Sequence, residues 1–561
     1  MSYDPEPTYP LRKGAVDVGY EALAEDGARD GVAVIAIDGA STVAWDRAAV
    51  GLRSAFTRRG SDVEIVDMRC HALPWAEVER LTSDPTLADD PSFARIPDVG
   101  LGELFGELPD PRAGGPLTLV VGPGAALVPH DLLWWLDLPK ADSLARVQRG
   151  EASNLGQPPG ETETGTEKRL LFVDWPLLDR HKRAHADRVD RLVDITDPTA
   201  PRSLTGHSLR ATLSWLSGRP FRARPRFLPG PWGGQWLRTT LGVEAAETNL
   251  AWSYELITPE SGILLGDGTT MEVGFELLLA EHAERVLGPA VAERFGATFP
   301  IRFDYLDTME GGHLSIQCHP DERYARETFG LDYTQEETYY VTATTPGGSV
   351  FLGLREDADV DAFRQDAERA ESTGVAFDPE RYLVRHPAER HRLYLIPPGT
   401  PHASGAGNAV LEISATPYLY TLRFYDWLRR DGDGRLRPVH VDHAFANLDR
   451  SRNGARVAEL VPAPTEVREG HGWRELQLGR HPELFFAVHR LDFTDEVDDD
   501  TRGRFHVLNL VEGDGIEIAT ASGDVHPLSF AETIVVPAAV GAYRLRRIRG
   551  GSCKVVKALV P

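Results

Sequence analysis

The sequence predicts a two-part chain: an α/β domain on a parallel sheet, then a longer, mainly-β part with helical insertions. Three observations predict it. Residues 32–37 (VAVIAI) form a β-branched run, followed by the turn 38–41 (DGAS), a helical stretch over 45–59 and a second β-branched run at 63–66. That is the strand, turn, helix, strand order of a parallel α/β sheet. In residues 313–319, Leu314, Ile316 and Cys318 alternate with His313, Ser315, Gln317 and His319. A period of two places an amide and imidazoles on one face of a strand. After about residue 470 the chain turns to short strands (505–510, 533–537) separated by turns at 512–515 and 522–524.

Length and composition bound the rest. A chain of 561 residues has room for roughly 3 to 4 domains, and a hydrophobic content of 42% is ample for packed cores. No apolar run approaches the ~20 residues that span a bilayer, and the opening MSYDPEPTYPLRKG lacks a basic-then-apolar leader. Cys70, Cys318 and Cys553 are odd in number and far apart, which argues against a disulfide framework. A cytoplasmic protein is expected. The net charge of −25 disfavours nucleic acid and anionic membrane as partners. No lysine occurs between Lys182 and Lys554, so a phosphorylated ligand of the β part must be met by arginine, polar side chains or backbone N–H groups.

Taken in order, residues 1–30 read as a poorly ordered lead-in. Buried strands are expected at 117–121 and 132–137, then a helix through Arg146 and Arg149, and a further strand at 170–175 (LLFVDW). Residues 152–168, rich in Gly, Pro, Glu and Thr, read as a mobile loop. Residues 177–218 are charged and helix-prone, closing a first domain at 1–218. Helical spacing of apolar positions recurs over 270–295, 360–372 and 438–446. The acidic run 495–500 reads as a solvated loop.

Gln317 and His319 on one strand face make half of a metal site. Glu337 and His402 lie in two further segments, as expected when ligands come from different strands of a barrel. The stretches LSIQCHPDERYA, QEETYYV and IPPGTPHASGAGNAVLEIS, in this order and preceded by PWGG at 231–234, resemble the type I mannose-6-phosphate isomerases, which are zinc-dependent cupins. The resemblance covers about residues 220–561. It implies tandem cupin (jelly-roll) domains: a metal-binding catalytic one at 219–430, then a helical connection and a second cupin without the metal set at 431–561. It implies one Zn²⁺ per chain on Gln317, His319, Glu337 and His402, with His313 as the nearest substitute. It also implies an aldose–ketose isomerase acting on a hexose 6-phosphate, of the mannose 6-phosphate to fructose 6-phosphate type. Glu412 is the candidate base, or else a solvent-facing strand residue. Arg423, in the TLRFYDW stretch, is the candidate catalytic or phosphate-facing arginine, or else part of a surface salt bridge. Gln335, Arg423 and Glu412 form the expected substrate-binding set. Two departures affect the substrate: Gln335 and Asp304 stand where the family has lysines. An isomerase of another sugar with an altered pocket, or a non-catalytic cupin that senses a carbohydrate, are the alternatives. His506 and His526 are read as structural.

The first domain resembles the P-loop nucleoside kinases, such as uridine kinase, in element order and in the AIDGAS and DLPKADSLARVQR segments. A phosphate-cradling P-loop needs G-x-x-x-x-G-K-[ST]. Residues 39–46 (GASTVAWD) lack the second Gly and the Lys. The expectation is a kinase-like fold that transfers no phosphate from ATP; an α/β domain of unrelated origin accounts for the same elements. The oligomeric state is open.

Overall fold

The structure is a computed structural model and describes residues 2–111, 117–157, 165–431 and 434–561. The chain forms two compact units. One holds Thr8–Trp215 together with Gly262–His282; the other holds the segment ending at Pro7, Leu216–Ser261 and Ala283–Pro561.

The first of these contains a seven-stranded sheet ordered Asp17–Val18, Arg202–Thr205, Arg191–Asp194, Leu132–Asp137, Val34–Gly39, Leu117–Val121 and Val63–Asp67. The five strands from Arg191–Asp194 to Val63–Asp67 run parallel. A parallel sheet is covered on both faces, so its strands are continuous apolar runs; all six residues of Val34–Gly39 are buried. The helix Trp45–Arg58 packs its Phe56 on Trp134 of the sheet, with ring centroids 6.4 Å apart. Gly39 is required by close approach, because a Cβ there would sit 2.0 Å from the Leu136 carbonyl oxygen. Asp38, fully buried, accepts from the N–H groups of Gly39, Gly124 and Ala126 and bonds His181 Nε2 at 2.9 Å.

Several expectations for this unit are corrected. Residues 8–9 and 17–18 are strands and 20–27 a helix, so the lead-in is structured in part. Residues 170–174 are helical and continue into the helix Trp175–His185. A short apolar run does not by itself separate strand from buried helix. The 177–218 stretch contains the strands Arg191–Asp194 and Arg202–Thr205 besides its helices. Within 152–168, residues 158–164 lie outside the described residues, while Asn154 and Leu155 are buried and bonded to Asp174.

The other unit is mainly β and contains two antiparallel sandwiches. The first pairs a six-stranded sheet (Leu393–Ile396, Glu337–Thr344, Asn408–Ala415, Ile301–Asp307, Trp252–Leu256, Arg226–Leu228) with a five-stranded one (Leu383–Pro387, Ser349–Leu354, His402–Ser404, Ile316–Cys318, Leu422–Tyr425). The second pairs a six-stranded sheet with the four strands Glu496–Asp500, Ala542–Arg549, Gly515–Thr520 and Val525–Ser529. Leu491, Val497, Leu508, Ile518, Leu545 and Val555 interdigitate as its core. The acidic run is therefore a strand. Val497 and Asp499 point inward and the remaining acids outward.

The helix Val360–Thr373 matches its expected span. Asp359 caps it by accepting from the N–H groups of Asp361 and Ala362, and Gly374 ends it at φ 68. Its Phe363 stacks on Phe424 (5.3 Å) and Tyr382 (4.9 Å), which anchors the strand carrying Arg423. A second helix, Val441–Asn447, falls within 438–446 but for one residue. In 270–295, Met271–Gly274 is a strand, followed by the helices Phe275–Leu287 and Pro289–Phe295. Among the described residues no helix is long and apolar enough to cross a membrane. The three cysteines form no disulfide.

Candidate metal centre

The strand Ile316–Cys318 pairs Gln317 directly with His402 of the neighbouring strand. The turn 397–401 delivers His402: Gly399, at φ 74, donates its N–H to the His319 carbonyl at 2.9 Å. A side chain at Gly399 would meet the Asn447 carbonyl at 2.5 Å. Glu337 begins the strand of the opposite sheet. The result is a buried group in which His319 Nε2 and His402 Nε2 lie 2.7 and 2.9 Å from the same carboxylate oxygen, Glu337 Oε2.

Four features fit this group to a cation. His319, Glu337 and His402 each offer a ligand atom, all within 4.8 Å of one another. His402 Nδ1 donates to the Thr400 carbonyl at 2.9 Å, which leaves Nε2 as the lone-pair nitrogen facing the group. Glu337 Oε1 is buried without a hydrogen-bond partner. Burial opposes ionisation of Glu337, but His402 and His319 outweigh it and hold the carboxyl well below its usual range. Gln317 stands at the edge, its amide nitrogen 3.5 Å from His402 Nε2 and its oxygen accepting from Ser315. His313 is elsewhere: its ring packs on Trp427, 4.6 Å between centroids, and accepts from the Ala406 N–H.

Beside the group lies a buried polar cluster on Ile301–Asp307 and Asn408–Ala415. Every residue of Asn408–Ala415 is buried, so Glu412 faces the interior and not solvent. It accepts from Ser414 (2.9 Å) and from the Arg302 guanidinium. Burial, together with Asp304 and Glu337, raises the Glu412 carboxyl well above its usual range against the pull of Arg302. Asp304 is raised to about 7, by burial first and then by Glu337. The Gln335 amide lies 3.2 Å from His319 Nδ1 and 3.1 Å from both the Pro417 carbonyl and the Arg302 guanidinium. Tyr339 OH and Asp304 Oδ1, like Glu337 Oε1, are buried without a hydrogen bond. Orphaned buried polar atoms cost about 1–3 kcal/mol each, so three in one cluster point to a ligand that satisfies them.

Arg302 is the residue that sequence reasoning missed. It donates to Ser414 at 2.6 Å and lies 3.6 Å from Asp304. The signal was present: alternation between Ile301 and Phe303 puts Arg302 on the face of Asp304. Arg423 is the ladder partner of Gln317. Its guanidinium donates to the Pro438 carbonyl at 2.9 Å, and burial and neighbouring Arg437 lower it to about 10. In the second sandwich His506 bonds Tyr543 OH at 2.8 Å, and His526 lies 3.4 Å from Arg219.

Residues 19–218 match the family model described as Domain of unknown function (DUF8485). The chain is 26% identical over 299 residues to the mannose-6-phosphate isomerase of Streptococcus mutans, covering 52% of this chain and 86% of that protein. It is 23% identical over 337 residues to mannose-6-phosphate isomerase ManA of Bacillus subtilis, covering 59% of this chain and 96% of that protein. The crystal structure of the mannose 6-phosphate isomerase from Bacillus subtilis superposes with a TM-score of 0.49 at 21% identity, covering 61% of this chain and 99% of that one. Over about half its length the chain is thus homologous to mannose-6-phosphate isomerases.

Proposed function

We propose that the first sandwich holds one Zn²⁺ and isomerises a hexose 6-phosphate between aldose and ketose, in the manner of mannose 6-phosphate to fructose 6-phosphate. The observation that carries this reading is the His319, Glu337 and His402 group, with one Glu337 oxygen unpartnered, next to the buried Glu412. The names of the sequence relatives agree with it. A bound Zn²⁺ supplies Lewis acidity toward a carbonyl and toward enediolate charge. The rest falls to the chain. Glu412 takes the proton from one sugar carbon and returns it to the neighbouring one. Arg302 and Ser414 orient the Glu412 carboxylate, and Tyr339 OH is free to donate to a substrate oxygen. Arg423, at the edge of the ladder, meets the phosphate. Because the Glu412 carboxyl is raised, the acid limb of the rate profile lies above the ordinary carboxylate range. Turnover rises as pH climbs through it, and Glu412→Gln abolishes turnover while metal content is kept.

The test is a coupled assay with mannose 6-phosphate on metal-loaded and chelated protein. Turnover that vanishes on chelation and returns with Zn²⁺ supports the enzyme; saturable sugar binding without turnover supports a carbohydrate sensor. A second reading, isomerisation of an unphosphorylated sugar, is favoured by Arg302. It is the cation of the buried cluster, and Glu412 and Asp304 already engage it. Arg423→Ala separates the two. With a phosphorylated substrate it removes a charge-assisted pair of roughly 1.5–3 kcal/mol, seen in KM and kcat/KM. With an unphosphorylated one it changes little.

A further inference from the structure

The α/β unit contains a cleft of about 900 Å³, within the size range of small-molecule sites. Its walls come from the segments that follow the carboxyl ends of all five parallel strands. Ser41 follows Val34–Gly39, Arg69 follows Val63–Asp67, Pro123 follows Leu117–Val121, Leu138 follows Leu132–Asp137, and Thr196 follows Arg191–Asp194. The chain runs from the central strand Val34–Gly39 to one side of the sheet and then to the other. Open α/β sheets bind ligands at such a switch point, outside the carboxyl ends of the strands.

The chemistry of the walls selects the ligand. Four arginines, Arg47, Arg69, Arg146 and Arg149, face three carboxylates. Arg69 is paired with Asp67 and Asp46 at 2.6 and 2.5 Å, and Arg149 with Glu151 at 2.9 Å. Among the described residues Arg47 and Arg146 form no ion pair. The Nε of Arg146 is buried without a hydrogen-bond partner, and burial and the charges of Arg149 and Arg47 disfavour its protonated form against the pull of Glu151. Such a cluster persists where an anion offsets it. The turn where a kinase would cradle a polyphosphate spends four of its N–H groups within the chain. Gly39 N–H is spent on Asp38, Ala40 N–H on the Leu136 carbonyl, Val43 N–H on Ala40 and Trp45 N–H on Val43. Phe105, Val43 and Pro198 add an apolar wall.

We propose that this cleft binds a phosphomonoester, its single phosphate held by the guanidinium groups of Arg47 and Arg146 and its organic body against Phe105. Two unpaired guanidinium groups match one phosphate dianion, and arginine forks suit its oxygens. The residues of this cleft belong to the α/β unit and those of the metal centre to the other.

Isothermal titration of the full chain with ribose 5-phosphate and with AMP tests this, with adenosine and Mg·ATP as comparators. Saturable binding of at least one monoester, weakening with added salt and absent for adenosine, is expected. Arg146→Gln and Arg47→Gln should each weaken it roughly tenfold or more, Arg146→Lys less, and the exposed Val467→Thr, outside the cleft, not at all. The full chain of each variant is checked by circular dichroism, and the exposed Arg47 gives a variant that spares the core. Absence of binding by either monoester at millimolar concentration, binding indifferent to both arginine variants, or tighter binding of Mg·ATP than of the monoesters would each overturn the assignment.

Discussion

The two β sandwiches bury charge in opposite ways. In the second, Lys557 is 4% exposed and its ammonium lies 2.8 Å from Glu475 and 2.7 Å from Asp499. Arg468 donates to both acids, His489 bonds Glu475 and Tyr543 donates to Asp499. The chain itself supplies the cation, and every acid is paired. In the first, two imidazoles share one carboxylate oxygen, the other oxygen is unpartnered, and the nearest cation, Arg302, is committed to Glu412 and Ser414. A buried charge must be paired to be tolerated. One sandwich carries its counter-ion in the sequence, whereas the other holds a His/Glu/His group that, by the proposed function, takes its cation from solution. The same architecture thus serves as a self-sufficient core in one case and as a site in the other.

The largest effect that would break this comparison is on metal content. His402→Ala or Glu337→Ala should abolish retained Zn²⁺, measured by mass spectrometry of the purified protein, and take isomerase turnover to the detection limit. Metal retained at full stoichiometry in both variants would place the cation elsewhere. The next effect is on stability. Lys557→Met leaves Glu475 and Asp499 without their central cation and should cost about 3–5 kcal/mol in chemical denaturation, while metal content is unchanged. A stable Lys557→Met protein would mean that the second cluster is not held by its lysine.

A smaller effect comes from linkage. Zn²⁺ at 100 times its dissociation constant should stabilise the chain by about 2.7 kcal/mol, read as a rise in Tm, with none in Glu337→Ala. The smallest, per pH unit, is a pair of opposed pH slopes. Burial and the charge of Lys557 press His506 from 6.5 down to about 3. Between those values the unfolded chain binds the extra proton, so stability falls as pH drops through the window, by at most about 1.4 kcal/mol per unit. Asp304 is raised from 3.8 to about 7. There the folded chain holds the proton, so stability falls as pH rises through that window. His506→Asn should remove the first slope and Asp304→Asn the second, in denaturation curves at pH 4, 5, 6 and 7. A His506→Asn protein with an unaltered slope would show that another group carries it.

Much of this molecule was legible in one dimension. Period-two alternation put Gln317 and His319 on one strand face, and β-branched runs at 32–37 and 63–66 announced the parallel sheet. Asp359 and Gly374 bounded a helix at the expected positions, because propensity, caps and pleat are local. The same locality explains the failures. LLFVDW became helix because its apolar run fits either state and the surrounding core decided. The acidic run became a strand because Asp499 found Lys557 nearly sixty residues away. Arg302 went unnoticed because its meaning lies in Glu412, Ser414 and Gln335, which no spacing connects.

By itself, then, the sequence determined the first strands of the parallel sheet, the residue types able to hold a cation, and the lack of lysine from 183 to 553. Only tertiary structure decided that one Glu337 oxygen is shared by two imidazoles while the other is left open. Only it showed that Glu412 faces inward, and that four arginines line one cleft. Hydrogen bonds, desolvation and charge pairing depend on distances of a few ångströms between segments far apart in the chain, and those distances exist only once the sheets have closed.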